Sequence, residues 1–394
     1  MVSRIFKIAF LSHIDLKLFR FPLMIELANR NWKVFAISPE SKYSSKFLEY
    51  GIKHISYNIK RRSFNPFFEL KSILEIYRVL KISKPSILHT FMIKPNIYGT
   101  IAGKLAKVPV IINAVTGLGS FYSENNLKFK FIRGLMNLFH GSAFLFSDYI
   151  IFQNFDDLKY FYGLGLIKKT KATVIKGSGI DTKQFSFHSI QSKTLEQLRK
   201  ELNLNSKIII LMIARIIKHK GIMEYCRAAQ IIKSYYGHSV EFLLVGDFDR
   251  GNPFCIDKDK FYYFIQKNII KFLGQRDNIK ELIALCDVFV LPSYREGIPR
   301  TLIEAALMGK PIVTTNAIGC KEVVDHGRNG FLIPKKDSNA LAEAIEILIK
   351  NKKLREKFGK YSRQKAIKEF DKNIVIEKTI SLYKKLIQKK EGSF

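Results

Sequence analysis

The chain has 394 residues, 47% of them hydrophobic and 25% charged, and a formal net charge of +32. Its length predicts two domains of ordinary size, and its composition excludes an intrinsically disordered chain. So large a positive charge indicates a nucleic acid, an anionic membrane surface or a phosphorylated substrate as a partner. The alternative is that a lysine-rich composition pervades the chain and serves no particular partner.

The cysteines and the apolar runs exclude several further classes of protein. The four cysteines are widely spaced, without a CxxC pair or a histidine cluster, so neither a zinc site nor a disulfide framework is predicted. The first residues, MVSRIFKIAFLSH, have too short an apolar run for a signal peptide and no small-residue cleavage site. No segment has the unbroken apolar length of a membrane span. We therefore expect a cytoplasmic protein without a membrane-spanning helix.

The N-terminal half alternates predicted strands and helices. Residues 5–11 form a buried strand, the pattern LMIELANR a helix and WKVFAIS a second strand, which together make a Rossmann-like βαβ opening. This opening lacks GxGxxG, so a nicotinamide or flavin cofactor is not predicted. Further strands are predicted at residues 54–57, 86–89, 110–113, 149–153 and 172–175, with helices that include residues 67–81 and 98–106.

The alternation restarts after a polar, weakly patterned connector. Strands are predicted there at residues 207–214, 240–245, 269–273, 288–291 and 312–315, and residues 340–390 are predicted to be helical. The predicted organisation is an N-terminal Rossmann-like domain (1–185), a connector (186–206), a C-terminal Rossmann-like domain (207–370) and a terminal helix that returns to the first domain (371–394).

The stretch from residue 287 to residue 325 has the features of a ligand site. It contains a buried strand, a loop and a short helix at residues 300–308, which Pro299 begins and Gly309 ends. Ligands of open α/β sheets bind at the carboxyl ends of the strands, where this loop lies. Glu296 in the loop and Glu304 in the helix can accept hydrogen bonds from hydroxyls, while the amides of the helix start suit a phosphate. A nucleotide sugar carries both groups; the alternative is a capped surface helix with two solvated glutamates.

Two cations follow the first strand of the second half. Arg215 comes directly after that strand, and Lys220 precedes Gly221 and a helix. At the carboxyl end of a neighbouring strand they would neutralise the diphosphate of a nucleotide sugar as its bond to the sugar breaks. Gly246 ends the strand FLLVG, and its missing side chain would let a ligand approach the backbone.

Two stretches of the first half, residues 60–68 and 128–139, interleave basic and aromatic residues. The second suits an amphipathic helix in a bilayer interface, with its rings inserted and its lysines over anionic headgroups. The alternative is a core-facing helix with a solvated basic side. Nucleic-acid binding uses the same ingredients, but no recognised binding module accompanies them.

These residues are similar to those of one enzyme family, the family-four retaining glycosyltransferases. In the second half the resemblance rests on Arg215, Lys220, Gly221, Gly246 and the spacing Glu296-Gly297-x6-Glu304. The first half resembles a branch of N-acetylgalactosaminyltransferases that build bacterial glycans on a polyprenyl diphosphate, through Leu11-Ser12-His13, Phe19-Arg20-x-Pro22, Ser63-Phe64-Asn65-Pro66-Phe67, Lys94-x-Asn96, Gly117-Leu118-Gly119-Ser120-Phe121-Tyr122 and Lys176-x-x-Gly179-Ile180. The resemblance covers nearly the whole chain. It implies the α/β fold called GT-B, in which two Rossmann-like domains face one another across a cleft and the C-terminal helix packs back.

The resemblance also implies a role for each matching residue. The catalytic set would be Glu296 at the donor sugar, Arg215 and Lys220 at the donor diphosphate, and His89, for which a structural role is the alternative. Donor binding would further involve Gly246, Arg276 at the nucleobase, Gly297, Ile298, Pro299, Leu302, Glu304 at the ribose, and the loop of Gly117 and Gly119. The acceptor side would include His13, Arg20, Lys94 and Asn96.

Three features qualify this resemblance. Many relatives have Phe-Gly or a similar pair where this chain has Ile298-Pro299-Arg300, so their sugar preference does not carry over. No second carboxylate is predicted to attack the sugar, and the resemblance implies attack from the face of the leaving group. The segment Asp247-Phe248-Asp249 mimics the DxD of metal-dependent glycosyltransferases, but in this fold arginine and lysine do that work, and no metal site is predicted.

The sequence therefore predicts a retaining hexosyltransferase or N-acetylhexosaminyltransferase. It would move a GalNAc-like sugar from a UDP-sugar to a polyprenyl-diphosphate-linked sugar in the assembly of a bacterial surface glycan or N-glycan. The UDP-sugar is a co-substrate and no cofactor is expected. We expect the protein at the inner face of the cell membrane, with an anionic membrane surface but no nucleic acid as a partner. The alternatives are a UDP-sugar epimerase of the same fold and a non-enzymatic basic protein that binds nucleic acid or lipid.

Overall fold

The computed structural model describes residues 5–59, 65–205, 207–249 and 251–392. They form two compact units. Unit 1 comprises the described residues up to 179 together with those from 372 onward, and unit 2 comprises residues 180–371. The basic-aromatic stretch at 60–68 and the motif that begins at Ser63 lie partly outside the described residues, since both include residues from 60–64.

Unit 1 is built on a seven-stranded sheet whose neighbouring strands are all parallel. Its strands are β1 (Lys7–Leu11), β2 (Lys33–Ile37), β3 (Lys53–Ile55), β4 (Ile87–Phe91), β5 (Val110–Val115), β6 (Tyr149–Phe152) and β7 (Ala172–Val174). The spatial order is β3-β2-β1-β4-β5-β6-β7. Strands β4 and β5 are buried along their whole length, as a parallel strand covered on both faces requires.

Helices cover this sheet, and hydrophobic clusters lie on both of its faces. The helices are α1 (Phe21–Asn29), α2 (Ser44–Leu48), α3 (Pro66–Ser83), α4 (Ile93–Leu105), α5 (Leu127–Phe146) and α6 (Phe155–Gly163). Successive residues of β1 point to opposite faces, so Ile8 and Phe10 belong to one cluster and Ala9 and Leu11 to another. Helix α3 packs against α4, and α4 packs against α5.

Unit 2 repeats this architecture with a six-stranded parallel sheet. Its strands are β8 (Ile208–Ile213), β9 (Val240–Val245), β10 (Lys271–Phe272), β11 (Val288–Leu291), β12 (Ile312–Thr315) and β13 (Gly330–Ile333), in the order β10-β9-β8-β11-β12-β13. Its helices are α7 (Ser192–Glu201), α8 (Ile222–Tyr236), α9 (Lys258–Gln266), α10 (Ile279–Leu285), α11 (Arg300–Leu307), α12 (Ser338–Lys350) and α13 (Lys352–Phe370).

The last helix, α14 (Lys372–Glu391), belongs to unit 1. Its buried side chains, among them Ile380 and Tyr383, join the cluster that contains Ile8 and Phe10. Gly179 has a φ of +73°, and a Cβ there would lie 2.5 Å from Lys372 Cα. A glycine is therefore required where the end of unit 1's first segment passes the start of α14.

The two parallel, Rossmann-like sheets confirm the predicted fold class. Two elements differ from the sequence prediction. Residues 186–206, predicted as a connector, contain α7, because Leu198, Leu202 and Leu204 bury a sparse apolar stripe in the core of unit 2. The edge strand β13 was not predicted. Within the described part of the chain, no helix combines the length and hydropathy that a bilayer crossing needs.

Candidate active site

The loop after β11 holds Glu296 at the carboxyl end of the unit 2 sheet. The Glu296 amide donates a 2.9 Å hydrogen bond to the Ile318 carbonyl, in the loop that follows β12. Gly319, with a φ of +82°, lies so close that a Cβ would stand 2.5 Å from the Gly297 carbonyl oxygen. The backbone of Glu296 and Gly297 is thus fixed by the neighbouring loop.

Lys220 forms an ion pair with Glu296, and the two side chains are largely buried. Lys220 lies in the short turn that precedes α8, where Gly221 has a φ of +74°. A Cβ at Gly221 would lie 2.2 Å from the Pro292 carbonyl oxygen. This close approach of the α8 start to the end of β11 brings together two residues that are 76 positions apart in the sequence.

A second buried contact ties α8 to the same loop. The Tyr294 hydroxyl donates a 2.7 Å hydrogen bond to Glu224 Oε1, and the Tyr294 amide donates one of 2.9 Å to the His219 carbonyl. Sequence reasoning missed this pair. Tyr294 precedes Glu296 by two positions and Glu224 follows Lys220 by four, so it supports the ion pair from one side.

Arg215 follows β8 and its Nη1 lies 2.7 Å from Asp249 Oδ2. The second aspartate of the segment that mimics DxD is therefore an arginine partner, and Asn252 Nδ2 donates to the same oxygen at 2.8 Å. Within the described ranges, no group of three or more His, Cys, Asp or Glu side chains could hold a metal ion. Half of the Arg215 side chain is exposed, so its guanidinium can reach a ligand.

The structure gives Gly246 a packing role. Its φ is +150°, and a Cβ would stand 1.8 Å from the Ala214 carbonyl oxygen. The backbone of the residue before Arg215, rather than the approach of a ligand, already requires a glycine at this position.

Glu304 lies in α11, which begins at Arg300 as predicted. The carboxylate is buried, and Arg300 Nε lies 2.7 Å from its Oε1. Burial raises the pKa of Glu304, and the charge and hydrogen bond of Arg300 lower it. Arg300 is thus a counter-charge of the predicted ribose-binding residue.

Three other predicted donor residues are engaged within unit 2. Leu302 is fully buried and Ile298 nearly so, and both side chains pack in the core of unit 2. Their side chains support the loop and α11 instead of facing a donor. Arg276 donates from Nη2 to Glu201 at 2.9 Å and from Nε to Asn278 at 3.1 Å, so a helix outside the predicted site holds its guanidinium. Pro299 is the residue before the first turn of α11.

In unit 1, the glycine loop follows β5. Gly117 and Gly119 have φ values of +123° and +75°, a backbone region that favours glycine. No described atom lies within 4 Å of the position of a Cβ at Gly119. The conformation of the loop, and not crowding, therefore explains Gly119.

The predicted acceptor residues separate into different environments. His13 follows β1 and is half-buried. Lys94 Nζ lies 2.7 Å from Glu69 Oε1, and the Tyr98 hydroxyl donates to the other oxygen of that glutamate at 2.5 Å. The predicted lysine thus already has a carboxylate partner in α3.

Asn96 corrects the prediction of an acceptor contact. Its side chain is completely buried, accepts a 2.7 Å hydrogen bond from the Thr90 hydroxyl and donates one of 3.1 Å to the Ala114 carbonyl. Asn113 Nδ2 extends this network to Thr90 and Thr100. The asparagine joins the start of α4 to β4 and β5, and has no surface to offer a substrate.

His89 is 2% exposed and its Nδ1 lies 2.5 Å from the Tyr383 hydroxyl of α14. Burial lowers the pKa of His89 well below its usual value, and the charge of Arg20 lowers it further. The imidazole is therefore neutral and buried, and its Nδ1 is held by a tyrosine 294 positions away. No local sequence signal could have identified Tyr383 as its partner.

These features define a class of protein: two parallel Rossmann-like units, one of which gathers two cations and two acids at its sheet edge as nucleotide-sugar enzymes do. Residues 7–154 match the family Glycosyl transferase 4-like, and residues 194–365 match the family Glycosyl transferases group 1. The chain belongs to these glycosyltransferases, and the predicted resemblance is confirmed.

Individual relatives agree over nearly the full length. The N,N'-diacetylbacillosaminyl-diphospho-undecaprenol alpha-1,3-N-acetylgalactosaminyltransferase of Campylobacter jejuni is 35% identical, over 97% of this chain and 99% of that protein. The UDP-Gal:alpha-D-GlcNAc-diphosphoundecaprenol alpha-1,3-galactosyltransferase of Escherichia coli is 28% identical, over 91% of this chain and 90% of its own. The chain is a sugar transferase, as predicted.

Solved structures share the fold. A glycosyltransferase from Rickettsia africae has a TM-score of 0.79 and 21% identity, over 98% of this chain and 99% of that chain. Anabaena HepE in complex with UDP and glucose has a TM-score of 0.78 and 20% identity, over 96% of this chain and 100% of its own. The GT-B type of architecture is therefore the fold that these neighbours share with the chain.

Proposed function

We propose that this chain transfers an N-acetylhexosamine or a hexose from a UDP-sugar to a polyprenyl-diphosphate-linked sugar, with retention of the anomeric configuration. The observation that carries the proposal is the Lys220–Glu296 pair beside Arg215 at the carboxyl edge of the unit 2 sheet. The substrate class is supported by the similarity to the C. jejuni transferase. The name of that enzyme specifies a lipid-diphosphate-linked acceptor and an α-linkage.

Arg215 and Lys220 would stabilise the donor diphosphate. Each cation is paired with one carboxylate in the described structure, so a diphosphate would replace Asp249 and Glu296 as the partner of these side chains. Both cations then face the charge that develops on UDP as the bond between the anomeric carbon and the phosphate oxygen breaks. Removal of one such group from an enzyme typically reduces kcat by about 10²- to 10³-fold.

The two carboxylates would accept hydrogen bonds from hydroxyl groups of the donor. Release from Lys220 would leave Glu296 able to accept hydrogen bonds from the transferred sugar, and Glu304 would accept them from the ribose. The acceptor hydroxyl oxygen would form the new bond to the anomeric carbon on the face that UDP leaves. The bond from that carbon to the phosphate oxygen breaks, and the hydroxyl proton passes to the departing phosphate. This geometry retains the configuration without a second carboxylate as nucleophile, which a double displacement would need.

The test is release of UDP by the full chain with a panel of UDP-sugars and a polyprenyl-diphosphate-linked sugar. We expect UDP release that depends on the acceptor and falls by about 10²-fold or more in Lys220→Ala and Glu296→Ala. Lys218→Ala, an exposed lysine of the same turn, is the matched control. UDP-sugar isomerisation without an acceptor would identify an epimerase instead. Full activity in both site variants would contradict the assignment of the site.

We further propose that unit 1 associates with an anionic membrane surface at the inner face of the cell membrane. Leu127, Phe131, Leu138 and Leu145 of α5 are exposed, and their spacing of four and seven positions aligns them on one side of the helix. The buried residues His140, Ala143 and Phe144 lie on the opposite side. An exposed apolar stripe supports membrane contact over the alternative of a solvated basic side.

The neighbouring helices extend this surface. Helix α4, which packs between α3 and α5, exposes Ile101 and Leu105, and α3 exposes Phe67 and Leu70. Exposed lysines accompany the apolar side chains on all three helices: Lys71, Lys81, Lys104, Lys128 and Lys130. In a lipid bilayer with anionic headgroups, the apolar side chains would be buried and the lysines would pair with the headgroups.

A further inference from the structure

Two arginines flank α1, and their environments differ. Arg30, at the C-terminal end, donates from Nε to Glu26 at 2.8 Å and also pairs with Glu377 of α14. Arg20, at the N-terminal end, is 6% exposed, and within the described ranges its guanidinium makes one long hydrogen bond, of 3.4 Å, from Nη1 to the Gly177 carbonyl. Among the described residues no carboxylate pairs with Arg20, and its buried Nε has no acceptor.

A second donor without an acceptor stands at the same place. The Arg20 guanidinium carbon lies 4.7 Å from the centroid of the Phe91 ring. The centroid of the His89 ring lies 4.2 Å from the centroid of the same Phe91 ring. His89 Nε2 is buried and has no hydrogen-bond partner among the described residues. Burial keeps His89 neutral, and among the described residues the Tyr383 hydroxyl has no hydrogen-bond partner other than His89 Nδ1. Donation by this hydroxyl to Nδ1 satisfies both atoms and places the ring proton on Nε2.

The charge at this site needs a partner that the chain does not supply. Burial lowers the pKa of Arg20 to about 10, so the guanidinium remains charged at neutral pH. A buried charge without a counter-ion is costly, and the ring of Phe91 compensates it only in part. Phe91 is the last residue of β4 and His89 precedes it by two positions, so both rings lie on the same face of the sheet, near the carboxyl end at which α/β proteins bind ligands.

We propose that Arg20 and His89 hold a phosphate group of a substrate at this edge of unit 1. The inference rests on the proposed function for the identity of the substrate, since the reaction brings two diphosphates, one on the UDP-sugar and one on the polyprenyl acceptor. Phosphate oxygens accept from guanidinium and imidazole N–H groups in charge-assisted hydrogen bonds. The proposal gives His89 a positioning and binding role and assigns it no proton transfer.

Calorimetric titration of the full chain tests the site with three probes: inorganic pyrophosphate, UDP and farnesyl diphosphate. We expect Arg20→Met to weaken the binding of pyrophosphate and of one of the other probes about tenfold or more, because a charge-assisted hydrogen bond is lost. Arg20→Lys keeps the positive charge but not the paired N–H donors of the guanidinium, so it should weaken binding less than Arg20→Met does. Arg30→Met is the matched control and should bind all three probes as the unchanged chain does.

The pattern of losses identifies the source of the phosphate. A selective loss of farnesyl diphosphate binding assigns the site to the acceptor, and a selective loss of UDP binding assigns it to the donor. If only pyrophosphate binding depends on Arg20, the anion site is supported but the proposed function is contradicted, because neither substrate class would use the site. The inference would be overturned if Arg20→Met bound all three probes as tightly as the unchanged chain does, or if the unchanged chain bound none of them. Thermal unfolding checks folding: Arg20→Met removes an unpaired buried charge and should be at least as stable.

Discussion

Arg300 Nε lies 2.7 Å from Glu304 Oε1, one helical turn away in α11. Glu304 is 6% exposed, and Arg300 is the one cation paired with its buried carboxylate among the described residues. Burial raises the pKa of this carboxyl group and Arg300 lowers it. Arg300 therefore influences the ionisation of the residue that we expect to bind the ribose.

Replacement of Arg300 by alanine should shift the pH dependence of catalysis. Without the cation, burial acts alone and the pKa of Glu304 rises further. The ionised carboxylate, which accepts hydroxyl hydrogen bonds best, would then form only at higher pH. We expect the acidic limb of the plot of kcat/KM against pH to move upward. Lys353→Ala, an exposed lysine of α13, is the control, and coincident profiles for Arg300→Ala and the unchanged chain would contradict the prediction.

The Lys220–Glu296 pair should affect stability as well as catalysis. Lys220→Met leaves a largely buried carboxylate without its partner, which should reduce the free energy of unfolding by about 1–3 kcal/mol. The double variant Lys220→Met, Glu296→Gln should be less destabilised than the sum of the single variants, because it no longer buries an unpaired charge. Urea unfolding of all three variants measures this. Additive effects would show that the pair does not interact in solution.

The two glycines at the ends of α8 make a matched steric test. Gly221 has a φ of +74° and a Cβ would lie 2.2 Å from the Pro292 carbonyl oxygen, whereas Gly237 has a φ of +53° and no described atom within 4 Å. Gly237→Ala should cost about 1–3 kcal/mol, because φ +53° with ψ −126° is a backbone conformation that residues with a side chain rarely adopt. Gly221→Ala adds a clash with backbone and should cost about 3 kcal/mol or more, with a loss of activity, because it displaces Lys220. Equal melting temperatures for the two variants would refute this account of Gly221.

The exposed stripe of α5 should control membrane binding. The triple variant Leu127→Ser, Phe131→Ser, Leu138→Ser removes apolar surface that is exposed in the folded chain, so stability should change little while sedimentation with anionic vesicles is lost. Charge reversal at Lys128, Lys130 and Arg133 should weaken the same binding, most strongly at low salt. Tyr235→Ser, in an exposed part of unit 2, is the control. Unchanged sedimentation of the triple variant, or binding to duplex DNA in place of vesicles, would contradict the membrane proposal.

The sequence by itself determined the elements that depend on local patterns. Apolar runs predicted the strands β8, β9, β11 and β12, and Pro299 and Gly309 bounded a predicted helix at 300–308 that the structure places at Arg300–Leu307. Period and capping act over a few residues, so a sequence reports them directly. The acids and cations of the second half likewise indicated a nucleotide-sugar ligand. The resemblance that they carry implied a glycosyltransferase, and the family matches confirm that class.

Only the tertiary structure decided what each polar side chain does. Asn96, predicted to contact the acceptor, makes its hydrogen bonds within a buried network. Arg20, from the same predicted set, is buried and forms no ion pair with a carboxylate of the described residues. His89 is held by Tyr383, which lies 294 positions further along the chain. The partner of a buried polar group is set by whichever segments fold against it, and no local pattern records that choice. Hydrophobic periodicity states which side of an element is buried, but not which charge it meets there.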